Sequence, residues 1–225
     1  MAALESRSDR DDVQLYMDWP KLDGHILFPR TFTGPLPGDT SGFSRINPND
    51  IGVCIGDCSI RNSWQIPVRN EQRIAHHMAT IGFSDAIKGS VAGLDLSAPT
   101  VGVHIRYGSF VKAPKPANCP HGVRAPNDYY SRLVDYFLEK HPRGKVFLAS
   151  DGTGMELKWF TQRYRPQRVR SDLCPFLPAA DLLALSRCRV IVGSESTFSH
   201  AASAIGGGVN MTWPHSAERD NLAYL

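Results

Sequence analysis

Between residues 97 and 213 the apolar positions fall into a regular order that the rest of the chain lacks. Val101, Val103 and Ile105 alternate with Gly102, His104 and Arg106, which is the period of a β-strand. A loop of about twenty residues follows, carrying Pro114, Pro116, Pro120 and Pro126. From Asn127, "NDYYSRLVDYFLEKH" places Tyr130, Leu133, Val134 and Phe137 on one helical face, with a cap expected at Asn127 or Asp128. "KVFLAS" is a buried-type strand ending at Asp151, and "GMELKWFTQRY" a second helix. "PAADLLALSRC" predicts a third, with Pro178 near its start. "RVIVGS" is another strand, "STFSHAASAIG" a helix stopped by glycines, and "VNMTW" a last strand. Strands alternating with helices of this length build βαβ units, so residues 98–225 are expected to form a Rossmann-like lobe on a parallel sheet.

The preceding segment is less regular. Residues 1–12 are polar and expected to be a disordered tail. "VQLYMDW" (Val13 to Trp19) predicts a strand, and "IGVCIG" (Ile51 to Gly56) a second. The stretch between them is rich in Pro, Gly, Asp and Asn. "NEQRIAHHMATIGF" (Asn70 to Phe83) has apolar residues at helical spacing, Ile74, Met78 and Ile81. A helical reading of "SDAIKGSVAGL" is weakened by Gly89 and Gly93. Residues 13–97 are therefore expected to form part of an N-terminal α/β lobe.

Composition narrows the classes. The 225 residues are 42% apolar and 21% charged, ordinary for a globular chain, and a net charge of +3 argues against nucleic acid as a partner. The densest basic segment, "YRPQRVR", reads as solvated surface. No apolar run approaches the roughly 20 residues of a membrane span, and "MAALESRSDRDD" has no signal core. The five scattered cysteines read as buried free thiols, and Cys54 and Cys58 lack a second pair for zinc. A cytoplasmic location is expected.

In an open parallel sheet, ligands bind beyond the carboxyl ends of the strands. One such end presents His104 and Arg106, a second Ser150 and Asp151. The third, "VGSESTFSHAA", passes from strand to helix through Ser194, Ser196 and Thr197. Backbone N–H groups at a helix start attract anions, and the arginine fork matches phosphate oxygens. These pieces allow a diphosphate site, or simply a capped helix beside a surface arginine. Neither a Walker A loop nor a GxGxxG is present.

In this order, "VGVHIRYGS", "NDYY", "VFLASD" and "DLLALSRCRVIVGSESTFSHAASAIGG" resemble the GDP-fucose-binding lobe of the fucosyltransferase superfamily. The pattern is closest to the nodulation-type α-1,6 enzymes and the related α-1,2 enzymes, and covers residues 100–207. The resemblance implies a GT-B-type, inverting, metal-independent transferase with GDP-fucose as donor, a glycan as acceptor and no cofactor. It assigns Arg106 to the β-phosphate and its developing charge, and His104 to a place beside the nucleotide. Asp181 would bind guanine N1 and N2, although it could also cap its helix. Ser196, Thr197 and Phe198 would hold the diphosphate through backbone N–H groups, and Asp151 would lie near the nucleotide or sugar.

Two departures from the family pattern stand out. Tyr107, Gly108, Ser109 and Phe110 follow the arginine, so no carboxylate appears before Asp128 and the base is unassigned. Lys112 and His121 are acceptor-side candidates. The glycine-rich turn that opens the first lobe in related enzymes is also missing. The alternative is thus a GDP-sugar-binding remnant without transferase activity, its first lobe incomplete. A serine hydrolase using Ser196, His200 and Asp151 fits poorly, because the turn lacks the glycine of a nucleophile elbow.

Overall fold

The computed structural model describes residues 15–17, 26–27, 31–33, 79–107, 124–194 and 196–213. The chain divides into two units, Met1–Asp85 and Ala86–Leu225. In the first, β1 (Leu15–Met17) pairs in parallel with β3 (Thr31–Thr33), and β2 (Ile26–Leu27) pairs antiparallel with β4 (Gly82–Phe83). β1 lies inside the strand predicted over 13–19. Gly82 and Phe83, expected at the end of a helix, are instead a strand whose Phe83 is buried opposite Ile26. Cross-strand burial outweighs the weak helical signal that a terminal Gly-Phe carries. Residues 70–78, the strand predicted at 51–56 and the pair Cys54 and Cys58 lie outside the described residues.

Helix α1 (Asp85–Val91) crosses the unit boundary. It buries Ile87 and Val91, one turn apart, and runs through Gly89 but not as far as Gly93. Burial of two β-branched side chains stabilises it by a few kcal/mol, more than the roughly 1 kcal/mol that one internal glycine costs.

The second unit follows the predicted order closely. It runs β5 (Thr100–Ile105), α2 (Asn127–Lys140), β6 (Lys145–Ser150), α3 (Gly154–Tyr164), a 3-10 turn at Ser171–Leu173, α4 (Leu177–Ser186), β7 (Val190–Gly193), α5 (Thr197–Gly206) and β8 (Val209–Thr212). The four strands form one parallel sheet in the order β6-β5-β7-β8. All six residues of β5 are buried, because helices cover both of its faces. On one face Val101, Val103 and Ile105 pack with Leu133 and Phe137 of α2 and Leu157 of α3. On the other, Gly102 lies so close to Leu185 and Cys188 that a Cβ would stand 2.8 Å from a Leu185 methyl, which places α4 there. Helices α4 and α5 pack against each other.

The helix starts are specified differently. Thr153 caps α3 in a reciprocal box with Glu156, and Ser196 caps α5. Helix α2 departs from expectation. Its cap is Pro126, with no side-chain hydrogen bond, so neither Asn127 nor Asp128 serves there. Proline presets the entry dihedral (φ −64°) and leaves the Asn127 side chain exposed.

Candidate functional site

Register brings the strand ends into a row. Ile105 stands opposite Ser150, His104 opposite Gly193, and Gly193 opposite Thr212. The residues just past this row carry the polar chemistry, and serine hydroxyls fasten them together. Ser194, fully buried, shares a 2.6 Å hydrogen bond with the Tyr130 hydroxyl. Its Oγ also accepts from the Arg106 N–H (3.4 Å), and its own N–H donates to the His104 carbonyl (3.3 Å). The Ser150 hydroxyl donates to the Ile105 carbonyl (2.6 Å) and accepts from the Gly152 N–H (3.0 Å). The end of β5 is therefore tied on both sides, to β6 and to the turn that leads into α5.

On this frame Arg106 and Asp151 meet. The guanidinium Nη1 lies 2.9 Å from the Asp151 carboxylate, with both side chains partly exposed (40% and 31%). The other carboxylate oxygen accepts from the Tyr107 N–H at 2.7 Å. The sequence expectation had Arg106 turned to an anion at the start of α5. Here its backbone adjoins that turn through Ser194, while its guanidinium is held by the end of β6. Asp151 thus holds both the Arg106 guanidinium and the Tyr107 N–H. Arginine has five N–H donors, so one ion pair leaves capacity for a ligand.

His104 is buried, and its Nδ1 has no hydrogen-bond partner among the described residues. Its ring lies 5.0 Å from that of Phe198, tilted by 39°. Burial, with the Arg106 charge in second place, lowers its pKa to about 4, so the imidazole is neutral at physiological pH. At the start of α5, the Ser196 hydroxyl accepts from the Phe198 N–H at 3.3 Å. That N–H, one of the three assigned to a diphosphate from the sequence, is committed to the cap. Thr197 begins the helix and only its backbone is described; Glu195 lies outside the described residues.

Asp181 occupies the fifth position of α4, which starts at Leu177 after a Phe176 cap. It therefore caps nothing, and that alternative falls away. It is 9% exposed. Burial raises its pKa to about 7, opposed by the Arg168 charge. Because α4 leads into β7, it runs against the strand direction, and its first half lies toward the same carboxyl edge as Arg106.

The structure therefore joins His104 to Phe198, Phe198 to Ser196 and Arg106 to Asp151, and sets Asp181 on the neighbouring helix. Lys112 and His121 lie outside the described residues. Tyr130, whose hydroxyl meets Ser194, is the group of this frame that sequence reasoning passed over. Tyr130 read as core, and nothing in the sequence announces that its hydroxyl reaches a turn 64 positions away. Among the described residues no group of three or more His, Cys, Asp or Glu stands ready for a metal ion, and no helix is long and apolar enough to cross a membrane. Cys174 and Cys188 are free thiols, and burial pushes that of Cys188 up to about 12.

No protein-family model matches the chain, and no curated protein matches it in sequence. Solved structures do. The fucosyltransferase NodZ from Bradyrhizobium aligns with a TM-score of 0.54 at 13% identity, over 96% of this chain and 90% of that one. NodZ α-1,6-fucosyltransferase co-crystallized with GDP gives 0.53, with the same identity and coverage. POFUT1 in its apo form aligns at 0.43 and 17% identity, covering 63% of this chain and 50% of that one. The chain thus spans about half the length of that POFUT1 chain. The α/β fold with its four-stranded parallel sheet resembles the fold of these fucosyltransferase structures, in agreement with the resemblance seen in the sequence.

Proposed function

We propose that this protein binds GDP-fucose at the carboxyl ends of β5, β6 and β7 and transfers fucose to a glycan with inversion, without a metal. The observation that carries the reading is the junction of Arg106 with the turn into α5 through Ser194. It sets the Arg106 backbone beside the amino end of α5, a place that favours an anion, with the guanidinium one side chain away. The fold shared with NodZ, which was crystallized with GDP, supports the choice of ligand. Residues 98–225 supply the nucleotide-sugar lobe.

Each residue then has a task. The Arg106 donors not engaged by Asp151 bind the β-phosphate. As the bond from the fucose anomeric carbon to the phosphate oxygen breaks, they stabilise the charge that collects on GDP. His104, neutral and buried, shapes the wall beside the nucleotide together with Phe198. Ser196 and Thr197 present the amino end of α5 to the diphosphate. The Asp181 carboxylate accepts from guanine N1 and N2, a pairing that uracil and adenine do not offer.

Asp151 favours a second reading, a protein that binds the nucleotide sugar without turnover, because the guanidinium already has an anionic partner. Release of GDP from GDP-fucose in the presence of a mixed glycan pool separates the two. Transfer predicts release that falls at least about a hundredfold in Arg106→Ala. Binding alone predicts GDP affinity with no release.

A further inference from the structure

A second cleft opens at the same carboxyl edge, on the other face of the sheet. It has a volume of about 570 Å³ and is lined by Tyr107, Arg124, Pro126, Asn127, Glu156 and Trp213. That volume falls within the roughly 300–1,000 Å³ of small-molecule sites. His104 faces α5 through Phe198, whereas Tyr107 belongs to the core on the α2 and α3 side. The Arg106–Asp151 pair therefore stands at a crest, with the nucleotide site on one slope and this cleft on the other.

The walls of the cleft are fixed. The Arg124 guanidinium lies 3.6 Å from the centre of the Tyr107 ring and 3.6 Å from a Glu156 oxygen. The same ring presses on Gly152, where a Cβ would come within 2.5 Å of it. The Tyr107 hydroxyl donates to the Glu156 carbonyl (2.9 Å) and accepts from the Trp159 indole (3.4 Å). Glu156 is anchored by the Thr153 N–H (2.8 Å) through its second oxygen. Trp213 rests edge-on against Tyr129 at 5.5 Å and is partly exposed. Against this rigid background two polar groups are left over. Arg124 Nε is buried with no partner among the described residues, and the Asn127 amide is exposed because Pro126 took over the cap.

The chemistry selects the ligand. One cation and one carboxylate, 3.6 Å apart, leave the cleft near neutral, and Glu156 would repel a second phosphate. Wholly apolar ligands would strand the Asn127 amide and the Arg124 donor. A neutral ring bearing hydroxyls on its edges and C–H groups on a face meets every demand. Trp213 offers a flat apolar platform, and Asn127, Glu156 and Arg124 offer mixed donors and acceptors. We propose that this cleft holds a pyranose ring of the acceptor glycan, one residue along the chain from Arg106. This rests on the glycosyl-transfer reading for the word acceptor, although not for the binding of a sugar.

The test is saturation-transfer NMR on the whole protein, with methyl β-glucopyranoside, methyl β-galactopyranoside, methyl α-mannopyranoside and methyl N-acetyl-β-glucosaminide, each with and without GDP. At least one glycoside should show transfer that saturating GDP leaves in place. Its affinity should weaken roughly three- to tenfold in Asn127→Ala and in Glu156→Gln, as expected for a lost hydrogen bond. Both variants keep the fold intact, since Asn127 caps nothing and glutamine also serves in a capping box. Transfer to none of the four glycosides, displacement by GDP, or unchanged affinity in both variants would overturn the inference. If the glycoside behaves as expected and GDP fails to bind, the cleft stands and the donor assignment falls.

Discussion

Asp181→Asn isolates the residue on which nucleotide selection turns, and its effect on stability follows from burial alone. The carboxyl has a pKa of about 7 in the folded chain against an ordinary 3.8. Between those two values the folded state holds a proton that the unfolded chain has released, so stability falls as pH rises. The span is about three units, or roughly 4 kcal/mol at about 1.4 kcal/mol each. That contribution is fully present below pH 3.8 and lost by the time pH passes 7. Asparagine carries no such penalty. The assay is urea unfolding of both proteins at half-unit steps from pH 4 to 8. The stability of the variant minus that of the wild type should climb by about 1.4 kcal/mol per unit up to pH 7 and then level off. A difference that stays constant across this range would show that Asp181 is not held protonated by burial, and the argument would fail.

His104→Gln should give the opposite slope. The imidazole pKa drops from 6.5 to about 4, so its stability contribution is present above 6.5 and lost as pH falls through 4. Relative to wild type, the glutamine variant should lose roughly 3 kcal/mol between pH 4 and 6.5 in the same urea series. Because the two slopes cancel over that window, the single variants reveal what the wild-type curve conceals. Asp151→Asn frees the Arg106 guanidinium while keeping an oxygen for the Tyr107 N–H. GDP should then bind several-fold more tightly at low salt, an effect that shrinks as ionic strength rises; weaker binding in calorimetry would mean that Asp151 itself touches the ligand. Arg106→Ala should abolish measurable GDP binding in the same instrument, while its thermal midpoint moves little, because the pair it breaks is partly exposed.

Most of the second unit was legible because its elements bury one face each. The apolar spacing of α2 and the short apolar runs of β6 and β7 have few other solutions once the glycines and prolines are placed. β5 was legible as a strand, and the face that carries Gly102 and His104 is covered by α4 and α5. A central strand and an edge strand can share one alternating pattern, and only the packing of helices tells them apart. Capping went astray at α2, where the choice between proline and asparagine depends on the incoming chain rather than on local preference. At the site, the residue types of Arg106, His104 and Asp181 announced polar chemistry. The ion pair with Asp151 and the Tyr130–Ser194 bond could not be read, since they join residues 45 and 64 positions apart through sheet register. Arg124 and Trp213 carried no motif at all, and the cleft they line with Tyr107 exists only through the fold.

Calorimetric titration with GDP, UDP and ADP at pH 6 and pH 8 addresses the nucleotide site directly. If the Asp181 carboxylate reads guanine, GDP binds more tightly than either competitor. A pKa of about 7 leaves roughly a tenth of the carboxyl ionised at pH 6, so the ratio of GDP to UDP affinity should grow several-fold, toward tenfold, by pH 8. Using the ratio cancels the titration of the diphosphate itself. Equal affinity for the three nucleotides, or a ratio that ignores pH, would contradict the account.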